Sequence, residues 1–214
     1  MTTLLLVRHG QSQANLSHTF AGHTNPPLTE FGKAQAEVLA DYLVTHYKID
    51  KIYSSDLIRA RQTAAPTARR LGLPITARKQ LREINAGEWE GKTFDCLNRD
   101  YAHSFGTVWR QDMANAVCPG GESVVQLSER IHKELLRICR RNEGKTILVT
   151  THATPIRATQ TLCEKGHISL IAQVPWSSNT SVTRCEYRDG KLYLLEAGFD
   201  GYLTDFKSKF PSNV

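Results

Sequence analysis

The sequence lacks the features that define membrane, disulfide-rich and metal-dependent proteins. It has no run of 18 apolar residues, and the apolar segment 4–7 is too short for a signal peptide. Its five cysteines are scattered without a CxxC pair, and an odd number cannot all pair within one chain. Neither an HExxH nor an EF-hand motif is present. We therefore expect a cytoplasmic protein with reduced cysteines, no membrane association, no cofactor and no catalytic metal.

Size and charge further narrow the number of domains and the kinds of binding partner that the sequence allows. With 214 residues, of which 40% are hydrophobic, the chain is predicted to form one domain over 1–214. The formal charge of +6 is compatible with nucleic acid, a membrane surface or small anions. Because no basic stripe with interleaved aromatics is present, we expect no nucleic-acid partner. The oligomeric state is left open, and a dimer is compatible with the sequence.

Strand and helix signals alternate along the chain. The Asp189-Gly190 dipeptide predicts a hairpin near the end, and the last dozen residues are predicted to be a loose tail. The pattern favours a three-layer α/β/α sandwich with a mostly parallel central sheet and an antiparallel edge strand. The predicted strands are 4–7, 49–54, 146–150, 181–187 and 192–196; the predicted helices are 30–46, 56–71, one from 123 that ends at Gly144, and one from Pro155.

Two histidines follow predicted strands directly. His9 comes after the first strand and His152 after the strand at 146–150. Ligands of such folds bind at the carboxyl ends of the strands, so we expect both histidines at one site. Residues 92–119 are weakly periodic, and we expect them to form a lid-like excursion over that site.

Five short blocks of sequence carry a family resemblance. They include Arg8-His9-Gly10, Arg59 within 55–64, and Glu83 followed by Gly87-Glu88-Trp89-Glu90-Gly91. In this order the blocks resemble those of the histidine phosphatase superfamily, in its phosphoglycerate mutase-like branch. The full set is 6–15, 55–64, 81–91, 119–123 and 149–152.

The resemblance implies a phosphohistidine mechanism that needs no metal. His9 would be the nucleophile, Glu83 the general acid, and Arg8, Arg59 and His152 the groups that bind phosphate. Arginine suits that task because its planar fork meets two phosphate oxygens at once. Flanking arginines should also keep His9 neutral, as attack requires. Weaker assignments to the phosphate or substrate pocket are Asn15, Ala21, Gly22 and Ala153.

The expected activity is hydrolysis of small phosphorylated metabolites. The alternative is a phosphoglycerate mutase, but that group resembles Glu-Arg-His-Tyr-Gly where this chain has Glu83-Ile84-Asn85-Ala86-Gly87. Mutases also carry a longer insertion with paired arginines, whereas the segment here holds only Arg99 and Arg110. An inactive phospho-ligand binding module ranks lower. The aromatic and apolar residues near the segment are interpreted as its own small core rather than a pocket rim: Phe20, Tyr101, Phe105, Trp109 and Met113.

Overall fold

The first strand, β1 (Thr2–Arg8), lies inside a six-stranded sheet in the computed structural model, which describes residues 1–208. Its apolar run is uninterrupted because both faces of the strand are covered. Leu4 and Leu6 pack into one hydrophobic core, whereas Leu5 and Val7 pack into a second core. The two cores lie on opposite faces of the sheet, since successive side chains of a strand alternate.

The sheet is mostly parallel, as predicted. Its remaining strands are β2 (Lys51–Ser55), β3 (Ile75–Arg78), β4 (Thr146–Thr151), β5 (Val182–Arg188) and β6 (Lys191–Phe199), in the order β3-β2-β4-β1-β5-β6. The pairs among β1 to β4 are parallel, and β5 is antiparallel to both β1 and β6. The predicted hairpin turn is confirmed: Asp189 and Gly190 both have positive φ, as a tight turn between two strands requires.

Helices cover both faces of the sheet. They are α1 (Gln13–Leu16), α2 (Glu30–His46), α3 (Ile58–Leu71), α4 (Phe94–Asp100), α5 (Val124–Arg140) and α6 (Ala153–Lys165). Apolar residues of α2 and α3 share a core with Leu5, and those of α5 and α6 share the other core with Leu4. The three-layer sandwich is therefore confirmed.

Several predicted boundaries need correction. The helix predicted from position 56 begins at Ile58, and the helix predicted from Pro155 begins at Ala153, with the proline in its first turn, where the missing N–H costs nothing. The helix predicted to continue to Gly144 ends at Arg140. Strand β3 was not predicted, because it is a short, partly exposed edge strand that follows the stop signals at 72 and 74.

The predicted loose tail is wrong in its first part. Residues Gly201–Phe206 form 3₁₀ turns that are interrupted by a kink at Thr204, and Leu203 within them is fully buried. Phe206 stacks on Phe31, with ring centroids 5.8 Å apart. Residues 209–214 lie outside the described part of the chain. Within 1–208, none of the helices is long and apolar enough to cross a membrane.

The 92–119 segment consists of short helices around an aromatic cluster. After α4 come a π-helix, Ala102–Trp109, and a 3₁₀ turn, Met113–Asn115. Phe105 is fully buried; its ring lies edge-on to Trp89 at 5.3 Å and parallel to Phe94 at 6.1 Å. The cluster is continuous with the core under α5 and α6.

Candidate active site

His9 stands immediately after β1, at the carboxyl edge of the sheet. Its side chain is 95% buried, and its Nδ1 lies 2.7 Å from the carbonyl oxygen of Gly10. Because a carbonyl oxygen only accepts hydrogen bonds, Nδ1 carries the proton and Nε2 keeps its lone pair. Asn179 fixes the backbone here by donating from Nδ2 to the His9 carbonyl at 2.8 Å.

The surroundings of His9 favour the neutral imidazole. Burial lowers the pKa of His9 well below its ordinary value of 6.5, and the charges of Arg59 and Arg8 lower it further. The arginines lower the pKa of His9, as expected from the sequence, but burial lowers it more. The ring is therefore neutral at neutral pH.

His152 lies beside His9 because their strands are neighbours. In the parallel pair of β1 and β4, Arg8 is opposite Thr151, so the next residues of both strands emerge together. The two imidazole centroids are 5.2 Å apart, edge to face. His152 Nε2 lies 2.8 Å from Ser55 Oγ, at the end of β2. Burial, followed by the charge of Arg59, lowers the pKa of His152 well below 6.5.

Arg59, near the start of α3, is almost completely buried and is held by backbone carbonyls. Its Nη1 donates to Thr24 O at 2.8 Å, and its Nη2 donates to Ala21 O at 3.0 Å and Gly22 O at 2.8 Å. Burial lowers the pKa of Arg59 to about 10, although Glu83 and Glu90 oppose that effect. Arg59 thus remains a cation at neutral pH.

Arg8, the last residue of β1, is the second buried cation. Its Nη1 donates to Ser177 O at 2.7 Å. Burial lowers its pKa to about 10, the carboxylate of Glu83 raises it, and Arg59 lowers it. Two charged guanidinium groups therefore lie next to the neutral His9, which makes this edge of the sheet strongly anion-attracting.

Glu83 is held between two parts of the chain. Its Oε1 accepts from Ile84 N at 2.8 Å, and its Oε2 accepts from Thr154 N at 3.2 Å, at the start of α6. The other acidic residues of the same block lie elsewhere: Glu88 is exposed and Glu90 binds backbone N–H groups. Of these three carboxylates, Glu83 is the one that lines the cavity described next.

These residues surround an open cavity. Two predicted residues are not among those that line it: His152 lies beside His9, and Gly22 packs against Glu90 and Arg59. The lining residues are Arg8, His9, Ser12, Asn15, Thr19, Phe20, Ala21, Arg59, Glu83, Trp109, Ala153, Thr154 and Trp176.

Several lining and supporting residues were missed by the sequence analysis. Ser12 stood inside the first block; it caps α1, and its N–H donates to Asn15 Oδ1 at 3.0 Å. Ser55 stood inside the second block. Trp176 belongs to no block, and no signal in the sequence marked it.

Aromatic side chains form one wall of the cavity. Trp109 is nearly parallel to Trp176 at 6.4 Å, and the guanidinium of Arg157 lies 4.2 Å from the Trp176 centroid. Phe20 and Trp109 also belong to the hydrophobic core, so the two interpretations, core and pocket rim, both apply to them. Phe105 and Met113 belong to the core and do not line the cavity.

Positive charge in the cavity comes from side chains. Arg8 and Arg59 are the arginines that line it, and no lysine among residues 1–208 does so. In the same part of the chain, no three His, Cys, Asp or Glu side chains are grouped so that they could hold a metal ion.

Buried histidines and arginines thus cluster at the carboxyl edge of a mostly parallel sheet, an arrangement whose positive charge suits an anionic ligand. The chain belongs to the histidine phosphatase superfamily (branch 1), whose family model matches residues 4–199. The resemblance found in the five sequence blocks is thereby confirmed.

Curated relatives carry different activities in their names. A bifunctional protein of Mycobacterium tuberculosis is 38% identical over 157 residues, which are 73% of this chain but 42% of that protein. Phosphoserine phosphatase 1 of Hydrogenobacter thermophilus is 32% identical over 158 residues, 74% of each chain. Phosphoglycerate mutase-like protein 4 of Arabidopsis thaliana is 30% identical over 198 residues, 92% of this chain and 84% of that protein.

Solved structures share the fold over nearly the whole chain. YhfR of Bacillus stearothermophilus has a TM-score of 0.89 at 28% identity, covering 95% of this chain and 100% of that one. A mycobacterial glucosyl-3-phosphoglycerate phosphatase in complex with VO3 has a TM-score of 0.84 at 27% identity, covering 92% and 99%.

Proposed function

We propose that this chain hydrolyses phosphate monoesters of small metabolites and that His9 carries the phosphoryl group between two half-reactions. The observation that carries the proposal is the state of His9: a buried, neutral imidazole whose Nε2 lone pair is available, beside two buried arginines. A neutral nitrogen nucleophile next to fixed cations is what attack on a phosphate dianion needs.

In the first half-reaction His9 Nε2 forms a bond to phosphorus and the bond from phosphorus to the ester oxygen breaks. Glu83, in its protonated form, gives its proton to the departing oxygen and becomes a carboxylate. In the second, water attacks phosphorus and gives a proton to Glu83, and the bond to His9 breaks. Inorganic phosphate leaves, and His9 and Glu83 return to their starting states.

The cations act on the charge that develops at phosphorus. Arg8 and Arg59 are held by main-chain carbonyls, so their forks need little reorganisation when the phosphoryl oxygens arrive. His152 is fixed by Ser55, and its Nδ1 is buried without a hydrogen-bond partner in residues 1–208. A phosphoryl oxygen would supply an acceptor at this nitrogen once it carries a proton.

The cavity favours hydrolysis over phosphoglycerate mutase activity. A mutase substrate carries a carboxylate besides its phosphates, and that group needs cations of its own. Arg99 and Arg110, the arginines of 92–119, are both exposed and do not line the cavity; Arg99 pairs with Asp100 at 2.7 Å. The mutase remains the second candidate because a mutase-like relative aligns over most of the chain.

A phosphate-release assay in the presence of a chelator tests the proposal. The panel contains para-nitrophenyl phosphate, sugar phosphates and phosphoglycerates, and a coupled mutase assay on 3-phosphoglycerate runs beside it. We expect release from at least one monoester without added metal. Mutase turnover with little release would support the second candidate, and inactivity in both assays would favour a binding module.

A further inference from the structure

The carboxylate of Glu90 takes no part in the proposed chemistry, yet it accepts hydrogen bonds from four backbone N–H groups. Its Oε2 accepts from Gly22 N and Thr24 N, each at 3.1 Å. Its Oε1 accepts from His23 N and, at 3.3 Å, from Ala86 N. Such charge-assisted bonds are stronger than those between neutral groups, so Glu90 is a firm anchor for this turn.

The same turn presents its carbonyls to Arg59. The oxygens of Ala21, Gly22 and Thr24 accept from the guanidinium at 2.8 to 3.0 Å. The peptide groups of residues 21–24 therefore lie between a carboxylate that accepts from their N–H groups and a guanidinium that donates to their oxygens. Gly22 and Thr24 take part on both sides.

The fit at Gly22 is too close for a side chain. A Cβ at this position would lie 2.3 Å from Ile84 O and 2.5 Å from Glu90 Oε1. The turn therefore packs directly on the segment that follows Glu83. Through Ala86 N, Glu90 also binds that segment, so one carboxylate joins the support of Arg59 to the chain that carries Glu83.

We propose that Glu90 is a positioning residue for phosphate binding: it holds the 21–24 turn so that three carbonyls aim the Arg59 guanidinium into the cavity. The inference rests on the proposed function, because it assumes that Arg59 binds phosphate. Its physical basis is that a guanidinium binds two oxygens only in a fixed orientation. A loosened turn leaves Arg59 charged but badly aimed.

Glu90→Gln is the sharpest variant. The amide replaces one oxygen by an NH2 group, which faces backbone donors instead of accepting from them, and the negative charge is lost. We expect the Kd of inorganic phosphate to rise about 10-fold or more, by analogy with the loss of metal affinity when a residue that supports a metal ligand is replaced. Glu90→Asp keeps the charge on a shorter stem, so a smaller rise is expected.

Glu88→Gln is the matched control from the same block. Glu88 is exposed, and its Oε2 accepts from the hydroxyl of Tyr101 at 3.1 Å, away from the 21–24 turn. This variant should bind phosphate as tightly as the native chain does. Thermal melts of all variants identify those that fold, and if Glu90→Gln does not, Glu90→Asp carries the test.

The experiment is calorimetric titration of inorganic phosphate into the full chain and its variants. Arg59→Ala should weaken binding strongly, and adding Glu90→Gln to it should weaken binding no further, because the two residues act through one contact. Additive losses, or a lowered melting temperature with an unchanged Kd, would overturn the positioning role alone. Unweakened binding by Arg59→Ala would instead refute the proposed function on which it rests.

Discussion

The carboxyl edge of the sheet and the 92–119 segment are built on different principles. At the edge, His9, His152 and Ser55 each stand at the end of a strand, and hydrogen bonds orient their side chains. The 92–119 segment has short helices, one of them a π-helix, and aromatic rings hold it together. Regular strands fix reacting groups precisely, whereas a packed but irregular segment gives the cavity its shape.

The two regions meet at Phe20 and Trp109. These side chains belong to the aromatic core and also line the cavity that contains His9 and Glu83. Under the proposed function, the sheet edge carries out the chemistry and the aromatic wall contacts the leaving group of the substrate.

Replacing one histidine in each region should give the strongest contrast in the rate of phosphate release. His9→Ala removes the nucleophile, so the rate of phosphate release should fall by at least about 10⁴-fold. His103→Ala changes an exposed histidine of the 92–119 segment and should leave the rate unchanged. Steady-state assays on the best substrate of the panel measure both. An active His9→Ala variant would remove the basis of the mechanism.

The role of Glu83 as general acid can be tested by changing the leaving group of the substrate. Glu83→Gln is expected to lower kcat about 10²–10⁴-fold for alkyl phosphates, whose oxygens need a proton to depart. The loss should be much smaller for para-nitrophenyl phosphate, because nitrophenolate leaves without one. Equal losses on both substrates would assign Glu83 a purely structural role.

Truncation inside the aromatic cluster should affect stability more than chemistry. Phe105→Ala empties a fully buried site, and the free energy of unfolding should fall by about 3–5 kcal/mol in urea titrations. In the folded enzyme KM should rise more than kcat falls, since the cavity wall loosens while His9 stays in place. Phe31→Ala, at a half-buried ring that stacks on Phe206, is the control and should cost less stability. A collapse of kcat in Phe105→Ala would mean that the two regions are not separable.

The buried histidines should make the fold sensitive to acid. Because the pKa of His9 in the folded chain lies well below 6.5, only the unfolded chain takes up this proton as the pH falls below 6.5. The stabilisation that comes from the neutral histidine is therefore fully present above pH 6.5. Below pH 6.5 the free energy of unfolding decreases, by up to about 1.4 kcal/mol per pH unit for each such histidine. His9→Asn should make the decrease shallower, as measured by urea unfolding at several pH values. Identical slopes would show that His9 does not contribute.

The sequence predicts the carboxyl edge of the sheet better than the aromatic wall of the cavity. The strand ends and the positions of the two histidines were predictable because apolar runs encode them locally, whereas Glu83 was implied by the family resemblance. Trp176 was not, since it reaches the cavity from a loop far along the chain and carries no pattern. Strand β3 was also missed, because a short edge strand has no fully buried face to impose an apolar run.

The proposed role of Glu90 was also not predictable from the sequence. In the sequence it is one of three nearby carboxylates, and only the structure separates the one that lines the cavity from the one that binds four backbone N–H groups. A short π-helix in place of a regular helix at 102–109 likewise has no signature in the periodicity.

The proposed phosphohistidine intermediate can be tested by trapping the phosphoryl enzyme. The native chain is mixed with its best substrate, stopped rapidly in alkali, digested and mapped by mass spectrometry, because phosphohistidine survives alkali but not acid. The mechanism predicts one added phosphoryl group on His9 that is absent from the His9→Ala variant. A phosphoryl group on another residue, or none during rapid turnover, would contradict it.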